Sequence, residues 1–523
     1  MVCTEEYKTG IDYRIVGLIL GPLLAIAILL GPNIGAEFAP KDYPYAPKLA
    51  LAMLVWTFVW WVASPLPLGV TALLPAVFSS VVAGFAPQAI GYTSTSAAVS
   101  DIWKTYMSTT IVLFLGGFMI AGALAEVGMD KRIAYALAAS RFGRRNLHTL
   151  ALALWTSCWF VSMWISNTAA AAIMYPIALG VITAVPRLST KYQEFLMLGL
   201  GYAATMGGLA TIIGTPPNLI AVQQAAQAGV QIPFFSFMIL GVPTAIIGLL
   251  VCFFVMLLYF RPEKEMAPEA IKVVEEEKAK LGKMTREQWI VTIGFILAVF
   301  MWIARGFPAI FESMGLTDLA KSTEIITKIL PDDCVPPIII AIALFAFPKF
   351  FTKKPLKTIL TWEGVNRYIS WDILLIFGGG LVIGNALLKT GLGKWLAVST
   401  GALFGGLSPF IIFLVAALTA YIITQFTSNT STAAMICPIV IALAIEGGFG
   451  KITAAQASII AGIMASIAIT LPISTPPNAI VFGSGKIQLK NMIANGLIIG
   501  LILLVVFSAI WIYGLPHIPV VVK

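Results

Sequence analysis

Four long stretches of this chain, 149–186, 195–260, 395–445 and 452–485, contain no Asp, Glu, Lys, Arg or His. Segments of that length without a charge cannot form solvated surface, and a helix needs only about 20 apolar residues to cross a ~30 Å hydrocarbon core. The rest of the chain agrees: of 523 residues 59% are hydrophobic and 11% charged, outside the range of soluble domains. The apolar runs are apolar on every face rather than alternating, which selects helices over a β-barrel. The chain therefore reads as an all-α polytopic membrane protein.

Spans are expected at about 13–30, 48–63, 68–84, 108–128, 193–228, 234–260, 289–304, 335–348, 371–388, 453–485 and 491–513, with 146–185 and 408–446 set apart as special. The polar start, MVCTEEYKTGIDYR, lacks the build of a cleavable signal, so the first apolar run reads as a retained span. With a cytoplasmic N-terminus, 23 of the 33 Lys and Arg residues fall on the inner side, among them Arg144, Arg145, Lys349, Lys353, Lys354 and Lys357. That is the positive-inside bias. The net charge of +9 thus reflects topology and not a nucleic-acid partner. Arg261–Gln288, with Glu275-Glu276-Glu277 and its lysines, reads as a solvated cytoplasmic linker between two halves.

Those halves repeat each other. Gly116-Gly117 in its apolar setting matches Gly378-Gly379, Ser166-Asn167-Thr168 matches Ser428-Asn429-Thr430, and Thr215-Pro216-Pro217-Asn218 matches Thr475-Pro476-Pro477-Asn478. The offset is 262 residues for the first two motifs and 260 for the third. Repetition in the same order at a fixed spacing marks an internal repeat. Five expected spans separate the two Ser-Asn-Thr triplets, so the second half is inverted relative to the first. Inverted repeats whose equivalent motifs meet near the midplane are the architecture of secondary transporters.

The segments 146–185 and 408–446 each have two apolar arms meeting at Ser-Asn-Thr, with Pro176 or Pro438 in the second arm. As re-entrant hairpins they would bring their tips into the protein interior, where irregular backbone is tolerated if it lines a cavity. Pro-Pro inside 193–228 and 453–485 removes two N–H donors and clashes with the preceding turn, so these spans should break at Thr215 and Thr475. Four helix N-termini would then face one place, together carrying roughly two positive charge equivalents. Such a place suits an anion. Asn167, Thr168, Asn429 and Thr430 add neutral donors for carboxylate oxygens. Carbonyls freed beside Ser162, Gly214, Thr424 and Ser474 are oxygen ligands suited to Na+.

Without ionisable side chains in these segments, the residues that hydrolases, proton relays and metal clusters ordinarily use are missing, and no enzyme activity or cofactor is expected. The five cysteines are scattered at Cys3, Cys158, Cys252, Cys334 and Cys437, without zinc or redox spacing, and read as small hydrophobes. His148 and His517 read as interfacial surface.

Ser162-Met-Trp-Ile-Ser-Asn-Thr168, Gly214-Thr-Pro-Pro-Asn218, Thr427-Ser-Asn-Thr430 and the run Ser474 to Gly485 closely resemble the divalent anion/sodium symporter family, including its INDY-type di- and tricarboxylate carriers. The resemblance covers nearly the whole chain. It implies a homodimer whose protomers each have eleven spans and two re-entrant hairpins, with a transport region that moves as an elevator against a scaffold. Carried over by motif, substrate would contact Asn167, Thr168, Thr215, Asn429, Thr430, Thr475 and Pro476. Two sodium positions would involve Ser162, Ser166, Asn167 and Gly214 in one half, and Thr424, Thr427, Asn429 and Ser474 in the other. Thr427 and Ser474 stand where many relatives carry alanine, a change that a backbone carbonyl ligand tolerates.

The resulting expectation divides the chain into first-half scaffold helices (1–145, with an interfacial helix at about 129–143), a first transport region (146–260), the linker (261–288), second-half scaffold helices (289–407) and a second transport region (408–515). The expected function is secondary transport of C4/C5 dicarboxylates (succinate, malate, fumarate, 2-oxoglutarate, with citrate a further case) across the plasma membrane. Coupling is either sodium symport or dicarboxylate exchange. A carrier of sulfate or another inorganic oxyanion is the alternative, and an anion channel a distant one.

Overall fold

A computed structural model describes residues 12–185, 188–265, 268–346, 358–404, 409–519 and 521–522. The expected features at residues 1–11 (with Cys3), at the basic stretch 347–357 (with Lys349, Lys353, Lys354 and Lys357) and at position 408 lie outside the described residues.

The described chain is almost entirely helical, and ten of its helices are long and apolar enough to cross a membrane. Helices stand at each of the eleven expected spans, in order. Seven are the helices Tyr13–Leu30, Ala46–Ala63, Thr109–Glu126, Phe234–Phe260, Arg286–Arg305, Trp371–Lys389 and Leu489–Gly514. One is the pair Leu68–Thr71 and Leu74–Phe85, and one is the shorter Val335–Ala346. The last two are interrupted: Thr190–Gly208 with Pro216–Gln227, and Lys451–Ser466 with Pro476–Phe482. The two hairpins have arms Leu147–Ser162 and Asn167–Ala184, and Pro409–Thr424 and Asn429–Glu446. Chain polarity sets several starts. Asn146 and Thr149 form a reciprocal cap ahead of the first hairpin, and Thr285 with Gln288 does the same at Arg286–Arg305.

The interrupted spans and hairpins form the centre. Each first half-helix packs on the second half-helix of the other repeat, so the repeats interlock. Small residues permit this: a Cβ at Gly462 would sit 2.6 Å from the Ala221 Cβ, and one at Gly201 would press on Val481. Ser458 Oγ donates to the Ala221 carbonyl at 3.0 Å, and Tyr202 OH to the Met492 carbonyl at 3.2 Å. Trp155, Tyr202, Phe507 and Trp511 fill the space around them. The helix Tyr13–Leu30 lies outermost and leaves Ile15, Ile19, Leu23 and Ile26 exposed, as a lipid-facing helix does.

Repeat-related positions also hold the last helix at both ends. The Glu194 carboxylate accepts from Gln488 N at 2.6 Å and Asn491 Nδ2 at 2.8 Å, an anion at the positive end of Leu489–Gly514. Gln456, which stands 262 residues later, donates to the Ile512 carbonyl near the other end at 2.6 Å. The matched Gly-Gly pairs serve close packing among the outer helices: Gly116 admits Pro337, and Gly379 admits the Ala72 carbonyl.

One feature departs from the sequence reading and two have no counterpart in it. The linker is not simply solvated: Pro268–Lys280 is a helix that buries Ala270 and Val274, with Val273 against Gly180 of the first hairpin and an Arg144–Glu275 ion pair of 2.9 Å. Its i, i+4 pattern of small apolar residues gives it one docking stripe. The 305–334 segment forms the helices Phe307–Ser313 and Thr317–Ile329, and behind them the Arg305–Asp333 pair, 3.0 Å apart, holds the start of Phe234–Phe260 through Phe234 N and Asp333 Oδ2 at 2.7 Å. Burial raises the Asp333 carboxyl above the ordinary range, with Arg305 opposing. Finally, Val230–Gln231 pairs antiparallel with Val521–Val522. Where an interfacial helix was expected, at 129–143, stand the helix Met129–Ala138 and the short turn Phe142–Arg144.

Candidate functional site

Both hairpin tips and both helix breaks open into one cavity of about 760 Å³. Asn167 and Asn429 are the first helical residues of the second arms, and Pro216 and Pro476 the first of the second half-helices. Proline is well placed there, because the first N–H of a helix has no intrahelical acceptor. All four helix starts line the cavity.

The seven residues expected at the substrate, Asn167, Thr168, Thr215, Asn429, Thr430, Thr475 and Pro476, all line this cavity. The opposite wall is Phe114, Gly117, Phe118 and Ala121 of Thr109–Glu126, and Gly117 lets that helix approach Ile213 of the first break. Tyr13, Ser64 and Ser370 also line the cavity; they stand at helix ends on the same side as the basic segments at 131–145 and 261–286. Among the described residues the lining holds no charged side chain. An anion there meets amide and hydroxyl groups and helix ends, in a region of low polarisability where fixed dipoles act strongly.

Behind each tip asparagine sits a fully buried hydroxyl. Ser162 Oγ lies 2.7 Å from Asn167 Oδ1 and 2.7 Å from the Ala204 carbonyl oxygen. In the other repeat Thr424 Oγ1 lies 2.9 Å from Asn429 Oδ1 and 2.5 Å from the Ala465 carbonyl oxygen. One hydroxyl hydrogen serves two acceptors in each case, so three oxygens converge where one proton is available. Hard cations prefer such neutral oxygen sets, and the two clusters fit Na+. Of the remaining residues expected at sodium, Ser166, Gly214, Thr427 and Ser474 line the cavity; Ser162 and Thr424 stand behind it. Thr427 Oγ1 is bonded to Thr432 Oγ1 at 2.7 Å, and Ser474 Oγ donates to the Leu471 carbonyl at 2.6 Å.

The fourth residue of Thr-Pro-Pro-Asn has a role the sequence reading did not assign. Asn218 Nδ2 donates to the Gly208 and Thr211 carbonyls at 3.1 and 2.9 Å, and Asn478 Nδ2 to those of Ala468 and Leu471 at 2.8 and 3.2 Å. Each closes the loop that its own half-helix leaves open, satisfying carbonyls orphaned at a buried helix end. The repetition of Asn at a 260-residue offset was the available signal. His148 is not simple surface: it is half-buried, and its Nε2 donates to the Pro262 carbonyl at 3.0 Å.

Two inverted repeats, paired hairpins and two interrupted helices meeting at a cavity whose described lining is uncharged define a multi-pass membrane transporter. Among solved structures, the chain is similar to the Neisseria gonorrhoeae antimetabolite efflux pump MtrF (TM-score 0.53, 14% identity, 87% of this chain and 96% of that one). It is also similar to the Alcanivorax borkumensis YdaH transporter (TM-score 0.51, 12% identity, 89% and 100%). At those identities the likeness concerns the fold alone. The sodium:sulfate symporter transmembrane region model matches residues 19–517. The sodium-dependent dicarboxylate transporter SdcS of Staphylococcus aureus strain MRSA252 is 34% identical over 523 residues, covering 98% of this chain and 92% of SdcS. Its counterpart in strain USA300 is 34% identical over 514 residues, covering 96% and 91%. The chain belongs to the divalent anion:sodium symporter family.

Proposed function

We propose that this protein carries C4/C5 dicarboxylates across the plasma membrane as divalent anions, drawn by sodium ions that travel with them. The observation that carries this reading is the pair of repeat-related oxygen clusters, Ser162–Asn167–Ala204 and Thr424–Asn429–Ala465, standing behind the amides of a cavity whose described lining carries no charge. A dianion placed among neutral donors needs compensating positive charge. Helix ends supply part of it, and cations at the two clusters supply the rest. The dependence on sodium in the printed name of the SdcS relatives favours symport over exchange.

In this reading Thr168, Thr215, Thr430 and Thr475 surround the carboxylates together with Asn167 and Asn429, the N-terminus is cytoplasmic, and the side of the cavity lined by Tyr13, Ser64 and Ser370 faces inward. The hairpins and interrupted spans move together as an elevator against the scaffold, in a homodimer. Labelled succinate uptake into proteoliposomes tests it. The expected result is accumulation in empty vesicles under an inward sodium gradient; uptake only after preloading with dicarboxylate, indifferent to sodium, would replace symport with exchange. The description of the matching family model favours sulfate as a second substrate reading, which excess sulfate failing to compete with succinate would remove.

A further inference from the structure

We propose that Gln425 is a positioning residue that sets the sodium affinity of the second-repeat cluster. The proposal rests on the reading that sodium occupies that cluster.

The half-helix Lys451–Ser466 stops directly after Ala465, whereas Thr190–Gly208 continues well past Ala204. Stopping early takes three successive carbonyls out of the regular helix ladder, and hairpin side chains meet all three: Thr424 at Ala465, Asn429 at Ser466 (3.4 Å, where Ala468 N also donates) and Gln425 at Ile467 (2.8 Å). Gln425 does more than the others. Its Nε2 also donates to the Tyr421 carbonyl at 2.8 Å, and its Oε1 accepts from Thr470 N at 3.0 Å. The amide is thus bonded on both its donor and acceptor sides, and the residue is 4% exposed. It ties the hairpin, at the residue next to Thr424, to the unwound loop on both sides of Ala468.

The consequence is orientation. A carbonyl in a continuing helix points along the axis at the next turn; one held in an unwound segment can point at a ligand. Gln425 keeps Ile467 and Thr470 out of the helix, and so keeps the Ala465 oxygen aimed at Thr424. In the first repeat the equivalent residue is Met163, whose thioether cannot donate, and the helix there does continue. The bond between hairpin and loop also reverses direction, with Thr211 Oγ1 donating to the Met163 carbonyl at 2.7 Å.

The test is the sodium activation curve of succinate uptake in proteoliposomes for Gln425→Met, which installs the first-repeat residue. The expected result is a rise of about tenfold in the sodium concentration for half-maximal uptake, with the rate at saturating sodium kept within about twofold. A purely structural role would lower the maximal rate and leave the sodium midpoint in place, which would overturn the proposal. Should Gln425→Met not yield folded protein, Tyr421→Phe removes a hydroxyl that braces the same Thr470 at 2.9 Å, and the midpoint should rise in the same direction by a few-fold. An unchanged midpoint in that folded variant overturns the proposal equally. Thr424→Ala separates the two levels: if it too leaves the midpoint unmoved, the sodium reading of the cluster fails; if it raises the midpoint while Gln425→Met does not, only the role of Gln425 falls.

Discussion

The two repeats bring a hairpin tip against an interrupted helix by different means. In the first, the helix stays wound beside the tip and glycine makes room: a Cβ at Gly207 would overlap the Trp159 carbonyl, and one at Gly208 would stand 2.5 Å from Asn167 Oδ1. In the second, Ile467 and Ala468 occupy the corresponding places with full side chains, and the backbone unwinds instead, with Gln425 meeting the Ile467 carbonyl and the Thr470 N–H that unwinding exposes and Tyr421 OH bracing the Thr470 side chain. Both routes end at the same triad of hydroxyl, asparagine amide and main-chain carbonyl. The site geometry is therefore what the repeats share, and the way each is braced is free to differ. Small residues permit close approach at no cost in polar groups, while an unwound helix needs a partner for every freed group.

This comparison has measurable edges. If the tips are equivalent at the substrate, Asn167→Ala and Asn429→Ala should each reduce succinate uptake by roughly 10- to 100-fold, since each removes a hydrogen bond to a charged group. Wild-type uptake by either variant, at equal amounts of folded protein, would remove that tip from the site. If the first repeat depends on glycine, Gly207→Ala should destabilise the protein by about 1–3 kcal/mol through overpacking, read as a lowered thermal midpoint in detergent. An unchanged midpoint would mean that the helix beside Trp159 has room to spare. The corresponding residue of the second repeat, Ile467, already carries a buried side chain, so the effect has no counterpart there.

Smaller effects follow behind the tips. Asn218→Ala should cost about 1–3 kcal/mol by removing the side-chain donor to the Gly208 and Thr211 carbonyls, and Asn478→Ala should cost less, because Ser474 Oγ also donates to the Ala468 and Leu471 carbonyls. Equal thermal shifts would show that Ser474 does not share that role. Smallest, Ser162→Ala and Thr424→Ala should raise the sodium requirement by a few-fold each, as expected for about 0.5–1.5 kcal/mol per hydroxyl contact. A loss confined to one of them would mean that sodium uses one cluster alone.

Much of the site was legible because its residues break the pattern around them. Ser-Asn-Thr and Thr-Pro-Pro-Asn are polar or helix-breaking triplets and quartets inside segments with no charge, and they occur twice. Inversion followed from span parity alone, and the spans, hairpins and breaks fell where the apolar runs put them. What stayed hidden has no local signature. Gln425 is one polar residue beside a hairpin tip, and its three bonds reach Tyr421 within its own helix and Ile467 and Thr470 some forty residues on. Gly207 and Gly208 are ordinary in a membrane helix until Trp159 and Asn167 are known to lie against them. The 268–280 segment is rich in charge, which reads as solvated, yet its two buried residues Ala270 and Val274 suffice to dock it. Each of these depends on a tertiary neighbour, and tertiary neighbours are what a single sequence does not display.

The most direct test of a sodium-dependent dicarboxylate site made from two repeat-related clusters is equilibrium binding of succinate to the purified protein in sodium chloride and in potassium chloride at equal ionic strength. Saturable binding in sodium that disappears in potassium, and that Asn167→Ala and Asn429→Ala each weaken by roughly 10- to 100-fold, is the predicted result. Equal binding in the two salts would contradict it.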